Sequence, residues 1–291
     1  MSLLYSQNAG QVQEAGRNLF FSGSNESLGG QGGGYNRVIL EIIFEEVSMH
    51  WIYLSPHYDD AVLSCGGMIW EQSQAGDTVE IWTICAVSPS RGRALPAFAA
   101  TLETQWNAGR RAVSRRRAED RLACAEVGAV PFYGRLTDCI YRRLPDGEAL
   151  IKAGEDLWLP VHPAEMELVQ SLRTWLRHKL PHEARVVCPL SLGNHVDHRL
   201  VRSAAEGLRR MLWYYADFPY VTQRGIRLPQ GWPEGDLYHR PVSEAGFEAW
   251  CAGVAAYKTQ IGSLFGSQEG MRAQLEAYWR SGGGSWLWPG G

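Results

Sequence analysis

From residue 50 onward, short runs of β-branched and aromatic residues alternate with longer stretches in which apolar residues recur every three to four positions. Residues 51–54, 79–87, 130–133, 186–190 and 212–216 show the first pattern, bounded by Pro, Gly or Asp, which predicts strands. Residues 61–74, 110–127, 164–179 and 199–212 show the second. Leu168, Leu172, Trp175 and Leu176 mark one helical face, and Leu122, Ala125 and Val127 another. Strand–helix alternation with continuously apolar strands predicts a mostly parallel sheet with helices on both faces, a Rossmann-like α/β fold. Residues 243–280 predict two further helices, and 281–291 a terminal loop. In such sheets ligands bind beyond the carboxyl ends of the strands, so the loops that follow strands are the place to look for chemistry.

The first 48 residues break the alternation. Residues 22–36 read SGSNESLGGQGGGYN, with almost no apolar surface to offset the entropy of ordering. This predicts a flexible N-terminal extension over 1–48, without stable contacts up to about residue 34, ahead of a single domain over 49–291. Glu45-Glu46-Val47 can be encoded by a purine-rich ribosome-binding sequence, which makes Met49 a candidate natural start and the extension a candidate non-native segment.

The rest of the composition narrows the class. With 45% hydrophobic and 20% charged residues, the chain has the makeup of a globular protein. A net charge of −3 leaves no electrostatic footprint for nucleic acid. No run of 18 apolar residues is present to span a membrane, and the expected compartment is the cytoplasm. The six cysteines are scattered without a C-x-x-C pair and read as small buried hydrophobes.

Two strand-end loops carry an unusual density of reactive groups. The first is Ser55-Pro56-His57-Tyr58-Asp59-Asp60, entering a helix. His57 and Asp60 can converge on one point while Asp59 points elsewhere nearby, as a metal with an adjacent base requires. The competing reading is helix capping by Asp59 or Asp60. The second loop is Ser191-Leu192-Gly193-Asn194-His195-Val196-Asp197-His198, where His195 and His198 share one side of a first helical turn. The two loops can meet across a crevice at one sheet edge. His50, His162, His178, His182 and His239 lack acidic companions in this arrangement and read as surface or structural.

SPHYDDAVLSCGG followed by NHVDH resembles the LmbE-like, or PIG-L, family of zinc-dependent de-N-acetylases, from about Trp51 to Leu200 and more weakly through Tyr215-Ala216-Asp217-Phe218-Pro219-Tyr220. The resemblance implies that His57, Asp60 and His198 hold zinc or another divalent metal. It makes Asp59 the general base, and His195 the group that stabilises the oxyanion or protonates the leaving amine. Arg116 and Asp138 align with substrate-side residues of the family. The bland reading of Arg115–Arg117 with Glu119–Asp120 is a solvated helix face of i, i+4 pairs. Tyr58 and Ala61 stand where the family commonly has Pro and frequently Glu, and losing a carboxylate at 61 bears on how a ligating His is oriented. Trp106 and Trp158, both in predicted loops, are candidates for stacking on a sugar.

The implied activity is removal of an N-acetyl group from a small amino-sugar-containing substrate, releasing acetate. The implied partner is that N-acetylated small molecule, with neither nucleic acid nor membrane. The alternatives are a non-catalytic metal- or sugar-binding member of the same fold, and a nucleotide- or cofactor-binding Rossmann enzyme. The latter is disfavoured because the first strand leads into SPHYDD rather than G-x-G-x-x-G. Gly66-Gly67 predicts close helix–sheet packing, and the long loop over 88–109 is expected to wall the pocket.

Overall fold

A computed structural model describes residues 48–290, apart from residues 91, 108 and 227–235. Apart from Ser48, the segment expected to be a flexible extension lies outside the described residues. Five strands run parallel: β1 (His50–Ser55), β2 (Thr78–Thr83), β3 (Val130–Tyr133), β4 (Arg185–Pro189) and β5 (Leu212–Tyr215). With β6 (Tyr238–His239) and β7 (Trp286–Gly290) they form one sheet in the order β3-β2-β1-β4-β5-β7-β6. The chain thus winds outward from β1 in one direction through β2 and β3, then restarts on the other side of β1 with β4. Loops leaving β1 and β4 diverge at this reversal and open a crevice between them.

The helices are α1 (Asp60–Gln74), α2 (Ala97–Gln105), α3 (Ala112–Glu126), α4 (Met166–Lys179), α5 (Val196–Glu206), α6 (Glu244–Ala255), α7 (Lys258–Phe265) and α8 (Gln268–Arg280). Alternation along β1 divides the core between two faces. Trp51 and Tyr53 enter a cluster with Met68 of α1, Ala123 of α3, Trp250 of α6, Ile261 of α7 and Leu275 of α8. Ile52 and Leu54 enter another with Leu172 of α4 and Leu200 of α5. The expected α/β architecture holds, with both faces covered.

Several local expectations do not hold. The tail over 281–291 was expected as loop because of its glycines, yet Trp286–Gly290 forms β7, which pairs antiparallel with both β5 and β6 and buries Leu287 completely. The region 243–280 makes three helices rather than two. The break after α6 lets Tyr257 turn inward, and Gly266, at φ +77°, ends α7 before Ser267 caps α8. The fourth expected helix starts earlier, at Val196, and stops at Glu206, leaving Leu212 to the strand. On α3, Leu122 is 60% exposed and Ala125 is exposed too. Val127 is buried as expected, but within the helix the buried residues are Ala112, Arg116, Glu119, Asp120, Ala123 and Cys124, a face that is part polar and part apolar. Gly66 and Gly67 serve packing against α6 rather than against the sheet: a Cβ on Gly66 would lie 2.4 Å from Trp250 Cδ1, and one on Gly67 3.0 Å from Trp250 Cε3. His50, read as surface or structural, pairs across the sheet with Glu80 on β2 at 2.8 Å, outside the loop arrangement.

Candidate active site

The loop between β1 and α1 is tied to its own backbone. Ser55 Oγ donates to the His57 carbonyl at 2.5 Å and accepts the Ala61 N–H at 3.1 Å. Asp60 Oδ2 accepts the His57 N–H at 2.7 Å. Asp59 occupies the N-cap position of α1 but makes no side-chain cap bond. Its Oδ1 instead accepts from Arg116 Nη2 of α3 at 3.2 Å, which argues against a simple capping role. Tyr58 turns the other way and donates to the Ala86 carbonyl at 2.9 Å, anchoring the loop to the chain just beyond β2.

After β4 the chain passes through three residues with positive φ, Ser191, Gly193 and Asn194. A Cβ on Gly193 would sit 2.8 Å from Tyr220 Cγ, so this tight passage favours glycine. The passage delivers His195 to the N-cap of α5, where its Nδ1 accepts the Asp197 N–H at 3.3 Å. With Nδ1 an acceptor, the proton of a neutral ring sits on Nε2. His198 follows in the first turn.

The two loops meet. Asp60 Oδ2 lies 3.2 Å from His57 Nδ1 and 3.3 Å from His198 Nε2. One ring nitrogen each from His57, His195 and His198 falls within 4.8 Å of the others. Asp138 joins them from the segment after β3, with Oδ2 3.8 Å from both His57 Nε2 and Arg116 Nη1. All seven sequence-selected residues, His57, Asp59, Asp60, Arg116, Asp138, His195 and His198, are at most 9% exposed and line one place. Arg115 remains on the solvent side of α3, so the solvated-face reading fits it and fails for Arg116. Part of the loop over 88–109 is helical, as α2, and Trp106 at its end backs the Arg116 guanidinium at 5.1 Å.

Sequence reasoning missed the groups that orient these side chains. His57 Nε2–H donates to Asp197 Oδ2 at 3.0 Å, and His198 Nδ1–H donates to Asp217 Oδ1 at 2.6 Å. Two carboxylates thus orient the rings, with none needed at position 61 for these bonds. Asp197 also accepts the Cys139 N–H at 2.9 Å and lies 2.6 Å from Arg142 Nη1, while Arg142 grips Glu165 through Nε and Nη2. Asp197 stood between the two histidines in the sequence, and that position was its signal. Arg142 had none.

Charge is unevenly shared. Burial opposes protonation of His57, but Asp138, Asp60 and Asp197 outweigh it and raise its pKa well above the usual histidine value. In His198 burial is likewise outweighed, here by Asp60 and Asp217, and the pKa rises to about 9. Burial would raise Asp60, yet His198 and His57 hold it well below the carboxylate range. His195 goes the other way: burial, then His57 and His198, push it well below the usual value, so its ring is neutral near pH 7. Burial raises Asp59 above an ordinary carboxylate, against the pull of Arg116.

This donor set fits a divalent cation. His198 Nε2 is buried without a hydrogen-bond partner, faces Asp60, and carries its proton-donating work on Nδ1, as a ligating imidazole does. The same carboxylates that attract protons to the two rings would favour a cation in place of those protons. Cys85 and Cys139 also lie near His57, His195 and Asp197, but burial foremost raises both thiols well above their usual range and disfavours thiolate ligation.

Residues 52–208 match the family model described as PIG-L: GlcNAc-PI de-N-acetylase. The chain belongs to the PIG-L family. A 2'-N-acetylparomamine deacetylase from Niallia circulans is 28% identical over 257 residues, covering 79% of this chain and 90% of the relative. A second one, from Streptomyces fradiae, is 29% identical over 180 residues, covering 60% and 58%. Among solved structures, the zinc-inhibited form of teicoplanin deacetylase Orf2 is similar with a TM-score of 0.71 and 26% identity, covering 83% of this chain and 97% of the other. The A40926 pseudoaglycone deacetylase Dbv21 follows at 0.62 and 26%, covering 83% and 96%. This PIG-L chain is accordingly a hydrolase that cleaves N-acetyl amides. Among its described residues no helix is long and apolar enough to cross a membrane.

Proposed function

We propose that this PIG-L protein removes the N-acetyl group from an amino sugar of the size found in aminoglycosides, with zinc as its metal. The observation that carries the reading is the convergence of His57 Nδ1, Asp60 Oδ2 and His198 Nε2 on one point, with Asp59 and His195 beside it. Those three donors would hold the zinc, which when bound polarises the amide carbonyl and lowers the pKa of water to about 7.

The protein's own groups supply the remaining steps. Asp59 accepts a proton from the attacking water and returns it to the departing nitrogen, a function suited to a carboxylate whose pKa burial has raised. Arg116 holds Asp59 through its Oδ1, aiming the carboxylate while limiting that rise. His195 is neutral, with Nδ1 occupied by the Asp197 N–H, so Nε2–H donates a hydrogen bond to the oxygen that gains charge. Asp138 and Arg116 present polar atoms for the sugar hydroxyls. The 2'-N-acetylparomamine and teicoplanin deacetylases support a glycosidic substrate rather than a simple amide.

Acetate release from a panel of N-acetylated amino sugars, after metal stripping and reloading with zinc, tests the proposal. Activity is expected to vanish on stripping and return with zinc. A reloaded enzyme that releases acetate from none of the panel would overturn the substrate reading.

A further inference from the structure

Two tryptophans border the site, and the structure separates them. Trp106 is engaged, its ring lying 5.1 Å from the Arg116 guanidinium and packing with the small apolar cluster around Cys139 and Ile140. Trp158 ends a short 3-10 turn, Gly154–Trp158. Its neighbours Leu157 and Val161 pack into that same cluster, but Trp158 itself remains 42% exposed. Its ring stands edge-to-face with His195 at 5.5 Å and with Tyr220 at 5.6 Å, and Tyr220 in turn meets His198 at 5.9 Å. Trp158 is therefore an apolar plate, anchored on both sides of the chain, at the mouth of the polar site.

A single exposed apolar residue needs no explanation, but a large aromatic held against a histidine of the site does. The site also has a polar side, which carries Asp138 and Arg116, with charged groups 3.8 Å apart. Such a site has one wall for hydroxyl groups and one for carbon–hydrogen bonds. A pyranose ring with equatorial substituents has that division: hydroxyls around its rim and axial C–H bonds on its faces.

We infer that Trp158 is the stacking platform for the sugar ring that bears the acetamide, giving a cyclic substrate a contact that an acyclic acetamide cannot make. The inference rests on the proposed deacetylation, because the acetamide must reach Asp59 and His195 for its ring to meet Trp158. Trp158 contributes binding of the ring and takes no part in proton transfer, so its loss should appear in KM and not in kcat.

The test compares two substrates, methyl 2-acetamido-2-deoxy-glucopyranoside and N-acetylethanolamine, which has the same amide and no ring. Trp158→Ala should raise KM for the glycoside about tenfold with kcat within about twofold, while Trp158→Phe keeps most of the affinity. Both kinetic constants for N-acetylethanolamine should stay at wild-type values. An unchanged KM for the glycoside overturns the inference. An equal loss on both substrates also overturns it, since Trp158 would then act by holding His195. Calorimetric binding of the glycoside to Asp59→Asn, with and without Trp158→Ala, reads the same contact without turnover. A tenfold contrast there, beside a wild type that releases no acetate, would remove the activity and leave the platform.

Discussion

Arg142 Nη1 and Asp197 Oδ1 lie 2.6 Å apart in a largely buried pair, and through that pair α5 and the segment after β3 jointly orient His57. Asp197 is completely buried, and Arg142 above all holds its carboxyl well below the usual range against the opposing effect of burial. Arg142→Met removes the partner and leaves a buried charge, at a cost of about 3–5 kcal/mol. Metal affinity should fall by roughly 10–100-fold because His57 loses its fixed orientation. Arg142→Lys should recover part of both. Denaturant unfolding and metal titration of the variants provide the check.

Adjacent acids should give different phenotypes. Asp59→Asn keeps size and polarity but cannot accept a proton, so zinc should stay while turnover drops by roughly 10²–10⁴-fold. His198→Ala should lose zinc and activity together, and Asp60→Asn should resemble it. Metal analysis beside acetate release distinguishes these outcomes. Loss of zinc from folded Asp59→Asn would remove that residue from the role of base.

Arg116 should be visible in the pH profile. Burial raises Asp59, and Arg116 lowers it. The acid limb of kcat/KM should therefore lie above the ordinary carboxylate range in the wild type. In Arg116→Gln it should move to still higher pH, because the carboxylate loses its stabilising cation. A shift toward lower pH would show that the limb belongs to another group.

Asp120, behind the site on α3, should make stability depend on pH. Burial raises its pKa from 3.8 to about 7, and its Oδ2 has no partner. The Tyr257 hydroxyl lies 2.7 Å from the Tyr58 carbonyl and 3.1 Å from Asp120 Oδ1. If Tyr257 gives its single proton to the carbonyl, a protonated Asp120 can donate to Tyr257. With the folded pKa above the unfolded one, Asp120's favourable contribution is full below 3.8 and is lost as pH rises to about 7. Asp120→Asn should thus gain stability relative to wild type between pH 5 and 8. Thermal melts at the two pH values check the sign.

The strand-end loops were legible because their chemistry is local: His57, Asp59 and Asp60 fall within one turn, as do His195 and His198. The alternation that placed them was also legible, since β1, β2, β4 and β5 are apolar enough to stand out. Arg142 and Glu165 were not, because a buried ion pair from separate segments has the same appearance in sequence as two surface charges. The face of α3 was misread for a related reason. Hydrophobic periodicity assumes that the buried side is apolar, but Arg116 is buried by the site, Glu119 by its bonds to Thr259 and Asp120 by its bond to Tyr257. Trp286–Gly290 was hidden by the glycines before it, although Trp286, Leu287 and Trp288 have good strand propensity.

The pairing of Trp51 with Arg185, which sets β1 beside β4, joins parts of the chain that are far apart in sequence. His57 and Asp60 are released from one of these strands and His198 from the other, so neither half of the polypeptide alone contains the proposed metal-binding group. Contacts between such distant segments form slowly, because a long loop must close before any reward is gained. Metal capture during refolding should consequently lag behind helix formation and arrive with the joining of the two halves. The ion would then act as a clock for the final stage of assembly, binding only chains whose central strands have already found each other.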